Sequence, residues 1–157
     1  MTDFTKEALP PVYRRNNRDC YLDPVRQKLI YITPEETVRQ QVIQWLLREC
    51  EVPTDMIRVE EHLSHYGIDT RRRADIIVDA LSTEDHLIHP LVVIECKAPG
   101  TLLGVKTSDQ MVDYSDKLGC YYMVMTNGAE TFCYHYDEKT GDYQPVAGLP
   151  PYKKILQ

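Results

Sequence analysis

The stretch Leu91-Val92-Val93-Ile94-Glu95-Cys96-Lys97 constrains the fold more than any other part of the sequence. In a strand, alternate side chains point to opposite sides. Leu91 and Val93 therefore share one side with Glu95 and Lys97, and Val92, Ile94 and Cys96 share the other. Both sides begin apolar, so the strand is central and covered on both faces. It acquires charge only at its end, and Pro99-Gly100 stops it.

The neighbouring elements follow from periodicity and turn chemistry. Residues 56–63 and 73–81 alternate as strands, and Tyr66-Gly67-Ile68-Asp69 between them predicts an antiparallel hairpin. Residues 121–126 form a further apolar strand. Asn127-Gly128 is a hairpin turn, and 130–136 return as a strand. Thr33-Pro34-Glu35-Glu36 reads as a helix start, with an N-cap threonine, proline in the first turn and Glu36 at the capping-box position. Val38, Val42, Trp45 and Leu46 continue that helix to near Cys50, with Ile43 and Leu47 widening its apolar face. Thr107-Ser108-Asp109 caps a second helix to Leu118, with Met111, Tyr114 and Leu118 on one face. A short strand is expected within 25–32. The order of helix, three strands, helix, two strands predicts the α/β class, as an α+β mixed sheet flanked by helices.

A chain of 157 residues is the size of one domain. We expect an irregular arm over 1–24 with the basic cluster Arg14-Arg15-Asn16-Asn17-Arg18, a core over 25–136, and an extended C-terminal segment over 137–157. The formal charge of −6 argues against coating nucleic acid by bulk charge, but leaves room for a local basic groove or a site that collects cations. The five cysteines are odd in number and lack C-x-x-C spacing, so buried reduced thiols are expected in place of disulfides or structural zinc. No apolar run approaches the ~20 residues that span a bilayer, and no signal peptide opens the chain, so no membrane role and a cytoplasmic location are expected. Gly100 and Gly104 enclose three residues, and Val105 precedes Lys106, so this loop lacks the spacing of a nucleotide-phosphate loop.

Three charged residues look chemical. Glu95 and Lys97 end the central strand, and Asp75 opens another apolar strand twenty residues earlier. If the two strands are neighbours, the carboxylates repel by about 4 kcal/mol at 4 Å and an effective dielectric of 20. Either one acid stays protonated or a cation sits between them. Oxygen ligands with room for water favour Mg2+ or Mn2+ over zinc, and the backbone carbonyl of Cys96 is placed to join them. Two acids and a lysine suit phosphodiester hydrolysis, the lysine stabilising the transition state or orienting the attacking water. Gln110 and Tyr114, four apart on one helical face, either contact a nucleic-acid backbone or brace the site. Glu36 either approaches the metal from the opposite wall or simply caps its helix. Arg71-Arg72-Arg73 is either a solvated turn or a phosphate rail leading to Asp75, and Lys106 is a further candidate for a phosphate contact.

The set Thr33–Gln40, Arg73-Ala74-Asp75-Ile76-Ile77-Val78, Val93-Ile94-Glu95-Cys96-Lys97-Ala98-Pro99 and Gln110-x-x-x-Tyr114 resembles the PD-(D/E)XK nuclease superfamily. More closely, it is similar to the N-terminal nuclease domain of the R subunit of type I restriction enzymes, in the Gln-x-x-x-Tyr branch. Ala74 stands where the motif name has proline. The resemblance covers about residues 28–136 and implies a restriction-endonuclease-like αβββαβ core. It implies Asp75 and Glu95 as metal-binding carboxylates, Lys97 as the catalytic lysine and Glu36 as the acid of the first core helix. Mg2+ or Mn2+ is the implied cofactor. The implied partners are DNA and the translocase, specificity or modification subunits of a restriction-modification assembly. The expected activity is metal-dependent DNA endonuclease cleavage; the alternative is a catalytically silent nuclease-fold module that binds DNA or a partner protein.

Overall fold

The structure is a computed structural model that describes residues 2–156, with backbone alone at 105–108 and 110. The side chains of Lys106 and Gln110, both candidates above, therefore lie outside the described residues. A six-stranded mixed sheet runs in the order β4 (Ile57–His62), β5 (Arg73–Leu81), β6 (Ile88–Cys96), β7 (Tyr122–Thr126), β8 (Thr131–Asp137), β9 (Asp142–Val146). Only β6 and β7 pair in parallel. A parallel pair needs a crossover, and α2 (Val105–Leu118) supplies it.

Helices cover the central strands on both faces. On one side α1 (Pro34–Arg48) buries Val38, Val42, Ile43 and Leu46 against Ile76, Val78, Val92, Ile94 and Val124. On the other, Met111, Tyr114 and Leu118 of α2 pack on Ile77, Val93, Met123 and Met125. The predicted α+β order thus holds through the core. The Thr33 hydroxyl accepts the Glu36 N–H at 3.0 Å, closing the N-terminus of α1 as its sequence predicts. All five cysteines are buried free thiols. Among the described residues no helix is long and apolar enough to cross a membrane.

Several boundaries depart from expectation. β6 begins at Ile88 rather than Leu91, and so includes Pro90. Proline lacks the ladder donor, and the sheet accommodates it at a register shift between Val78 and Asp79, where Asp79 pairs with Pro90. α2 starts at Val105, two residues before the expected cap.

The expected irregular arm needs correction. It contains the hairpin of β1 (Val12–Arg15) and β2 (Arg18–Leu22), which joins β3 (Leu29–Tyr31) in a separate three-stranded sheet. Asn16 and Asn17 both take positive φ, 52° and 58°, as a two-residue hairpin loop requires. Every residue of β1 is exposed, so no burial alternation marks the strand. The extended C-terminal segment also needs correction, since it holds β9 and the short helix α3 (Tyr152–Ile155). Pro145 is tolerated in β9 because that strand is the edge of the sheet.

Candidate active site

The register of β5 against β6 pairs Ile76 with Ile94; one residue further brings Asp75 opposite Glu95. The backbone N–H of Cys96 donates to Asp75 Oδ2 at 2.8 Å, tying the two strand ends together. Alternation breaks locally on β5: Ala74 packs with the α2-side cluster and Ile76 with the α1-side cluster. Glu60 on β4 falls between the pairs Val59–Ile76 and Glu61–Ala74 and takes a φ of 50°. The register is the same on both sides of Glu60, so this is a backbone kink with no inserted residue, and Asp75 opposite it meets Arg39 of α1.

Glu95 lies on the α2 side, where the Tyr114 hydroxyl donates to its Oε1 at 2.6 Å. Burial first, and then the charge and direct contact of Asp75, push the Glu95 carboxyl up to about 8, against the opposing pull of the Tyr114 hydroxyl and the Lys97 ammonium. Burial, followed by the charge of Glu95, raises the Tyr114 phenol in turn, keeping it a donor. Lys97 follows directly after β6; its backbone N–H donates to Thr126 at 2.8 Å. Its half-buried side chain carries no hydrogen bond or ion pair to another described residue.

The raised Glu95 carboxyl has a consequence for stability. The group ordinarily titrates near 4.5. Between that value and about 8 the folded, metal-free protein holds a proton that the unfolded chain has released. Stability therefore falls as pH rises through this window, and the effect is complete above it. In EDTA, Glu95→Gln is expected to flatten the dependence of melting temperature on pH and to raise it at the alkaline end. Equal slopes in both proteins would assign the dependence to other groups.

Glu36, Arg39 and Gln40 stand at i, i+3 and i+4, so α1 turns these polar residues together with Ile43 toward the sheet. Arg39 Nη1 donates to Glu36 Oε1 at 2.6 Å and its Nη2 to Asp75 Oδ1 at 2.6 Å. Burial alone would lower the guanidinium's proton affinity; the hydrogen bond and charge of Asp75, with Glu36, more than reverse this and raise it. The opposite side of Glu36 meets Arg26 at 2.8 Å and Gln40 at 3.1 Å, and Arg26 also binds Asp23 at 2.7 Å. Glu36 thus reaches Asp75 through Arg39. Glu35 and Glu60 complete the ring at 3.3 and 3.7 Å from Arg39. Sequence reasoning missed the role of Arg39, although an arginine at a core-facing position, three residues after Glu36, was the available signal.

The remaining candidates spread outward. Arg71 and Arg72 sit exposed before β5, and Arg73 opens that strand, also exposed. Arg72 lines a cavity of about 290 Å³ with Tyr114, Asp113 and Lys117. Asp79, a second carboxylate on β5, lies apart from this group. Burial raises it, and Arg58 and the Tyr66 hydroxyl bind it at 3.3 Å.

The donors suit a hard divalent cation. Asp75 and Glu95 offer oxygen, and Asp75 uses two of its roughly four acceptor sites. The buried Cys96 thiol is raised well above its ordinary range, first by burial, so it offers no thiolate. Among the described residues no group of three or more His, Cys, Asp or Glu is arranged to cage a metal. Two carboxylates and a backbone carbonyl instead fit Mg2+ or Mn2+, which keep several waters.

Residues 34–150 match the family model of the type I restriction enzyme R protein N terminus. Among solved structures, the chain is similar to a fragment described as an HsdR subunit of a type I restriction enzyme from Vibrio vulnificus YJ016. The TM-score is 0.51 at 23% identity, over 78% of this chain and 25% of that one. The chain thus spans a quarter of that relative. No curated protein matches it. The structural likeness at this identity supports the mixed-sheet fold alone. The family match covers α1, the whole six-stranded sheet and Glu36, Arg39, Asp75, Glu95 and Lys97, and the chain belongs to the type I restriction enzyme R protein N-terminal family.

Proposed function

We propose that this chain is a metal-dependent DNA endonuclease domain. The observation that carries the reading is the convergence of Asp75 and Glu95 at adjacent strand ends, with the Glu95 carboxyl pushed up to about 8 beside Lys97. Two acids held this close, with Lys97 acting on Glu95 and Arg39 on one oxygen of Asp75, still raise the Glu95 carboxyl, and a divalent cation would relieve that.

Asp75, Glu95 and the carbonyl of Cys96 would hold Mg2+ or Mn2+. When bound, the ion lowers the pKa of water and neutralises charge on phosphate oxygens. The reaction is hydrolysis: a water oxygen bonds to phosphorus as one ester P–O bond breaks. Lys97 offers a compact charge to the phosphate as negative charge develops. Tyr114 fixes one oxygen of Glu95, while Arg39 and the Cys96 N–H fix both oxygens of Asp75. Arg71, Arg72, Arg73, Lys106 and Gln110 are proposed to contact the DNA backbone. DNA and the other subunits of a restriction assembly are the proposed partners.

A second reading has one observation in its favour. Arg39 already supplies positive charge to Asp75 at 2.6 Å, where a metal would otherwise do so. A catalytically silent module would use this pair as structure alone. Calorimetric titration with MgCl2 and MnCl2 separates the two. The nuclease reading expects saturable binding that Asp75→Asn and Glu95→Gln each weaken by tenfold or more, alongside cleavage of plasmid DNA. No binding and no cleavage of single- or double-stranded DNA selects the silent module.

A further inference from the structure

We propose that the β1–β2 hairpin and the groove between β3 and the start of α1 form a docking surface for the DNA phosphate backbone. This rests on the nuclease reading and adds to it the path by which substrate reaches Asp75.

Charge segregation is the first support. Residues 12–31 carry five cations, Arg14, Arg15, Arg18, Arg26 and Lys28, against two acids, within a chain of net −6. Arg26 is committed to Asp23 and Glu36, and Arg14 to Asp19. Arg15, Arg18 and Lys28 have no carboxylate partner among the described residues.

The second support is a local arrangement that stability alone would not select. Arg15 and Arg18 pair directly across the hairpin, where like charges destabilise. Both guanidinium groups lie over the Tyr31 ring, 4.9 and 3.9 Å from its centroid. The ring moderates their repulsion and holds them on one side of the hairpin. The loop is also braced: Arg14 donates to the Asn17 carbonyl at 2.7 Å, and Asn16 donates to the Tyr31 hydroxyl at 3.0 Å. Preorganised side chains lose little freedom on binding.

Position is the third. A groove of about 600 Å³ is lined by Arg15, Lys28 and Tyr31 together with Glu36, Arg39 and Glu60. Arg39, which lines the groove, touches Asp75, so the groove ends one side chain from the proposed reaction centre. Arg39 and Arg26 neutralise Glu35, Glu36 and Glu60 only in part, so the phosphate contacts fall to Arg15, Arg18 and Lys28 on the hairpin side.

The test is fluorescence anisotropy with a labelled random-sequence DNA duplex in EDTA, for the full chain, Arg15→Ala/Arg18→Ala and Arg15→Lys/Arg18→Lys. Both positions are exposed, so an unchanged thermal melt serves as the folding control. Losing two phosphate contacts should lower the slope of log affinity against log salt by about 1.8. The lysine pair should restore that slope, and calorimetric Mg2+ binding should be the same in all three. If the alanine pair binds duplex DNA as the parent does, or the parent binds no DNA, or prefers duplex RNA, the proposal is overturned. Hairpin-dependent DNA binding without metal binding or cleavage would keep this surface and remove the nuclease reading. Cleavage with hairpin-independent binding would do the reverse.

Discussion

Lys97→Ala is expected to lower magnesium-dependent DNA cleavage by roughly 10²–10³-fold, the scale of removing one preorganised group that stabilises transition-state charge. The fold should barely notice. The Lys97 side chain is half-buried and holds no hydrogen bond or ion pair to another described residue. Its loss leaves no buried partner stranded, so the stability change should stay within about 1 kcal/mol. Nor should the alanine protein lose metal, since Asp75, Glu95 and the Cys96 carbonyl remain. Removing the ammonium does take away one influence that keeps the Glu95 carboxyl from rising further. Metal binding should therefore weaken modestly at neutral pH and recover in more alkaline buffer. Plasmid cleavage assays, thermal melts and Mn2+ calorimetry read the three effects separately. Cleavage at the parent rate would remove Lys97 from the mechanism, whatever the metal data show.

Arg39→Met is expected to act in the opposite sense, destabilising the fold before any question of activity arises. The Arg39 side chain is 6% exposed and bridges Glu36, at 4%, to Asp75, at 13%. Removing one partner of a buried ion pair leaves an uncompensated charge, at about 3–5 kcal/mol. For a domain of this length that corresponds to a melting temperature lower by about 10 °C. Arg26 and Gln40 still reach Glu36, so the larger part of the loss should fall on Asp75. A double-mutant cycle with Asp75→Asn tests this. The pair should be markedly less destabilised than the sum of the single changes, because the stranded carboxylate is gone. Strict additivity would mean that the contact contributes nothing to folding. Denaturant unfolding curves supply the free energies, with equal slopes as the check that the unfolded state is comparable.

The two residues differ in how far sequence reveals them. Lys97 ends an apolar run in which each neighbour argues for a covered central strand, so a charge there is conspicuous in one dimension. The order of the core elements was legible for the same reason. Helical spacing from Val38 to Leu46, the capping threonine and the Asn127-Gly128 turn are local signals, and local geometry obeys them. Arg39 is different. Its partner Asp75 lies 36 residues away and reaches it only because the alternation of β5 breaks beside Glu60. No pattern within α1 encodes that. The β1–β2 hairpin escaped notice because its first strand has no buried face to impose a period, and two asparagines make a weaker turn signal than asparagine followed by glycine. The C-terminal elements were hidden by prolines that would break a central strand but are harmless on an edge.

The register shift at Asp79 has a consequence for synthesis. The carbonyl of Asp79 accepts a hydrogen bond from the Tyr152 hydroxyl at 2.8 Å, a buried contact spanning 73 positions. An acceptor left without a partner in the interior is unfavourable by about 1–3 kcal/mol. A nascent chain whose first 140 residues have cleared the ribosome holds α1, α2 and most of the large sheet, yet still has that carbonyl uncapped. The middle of the sheet is finished by a side chain that emerges after every strand of it, so this fold reaches full stability only after residue 152 has left the exit tunnel.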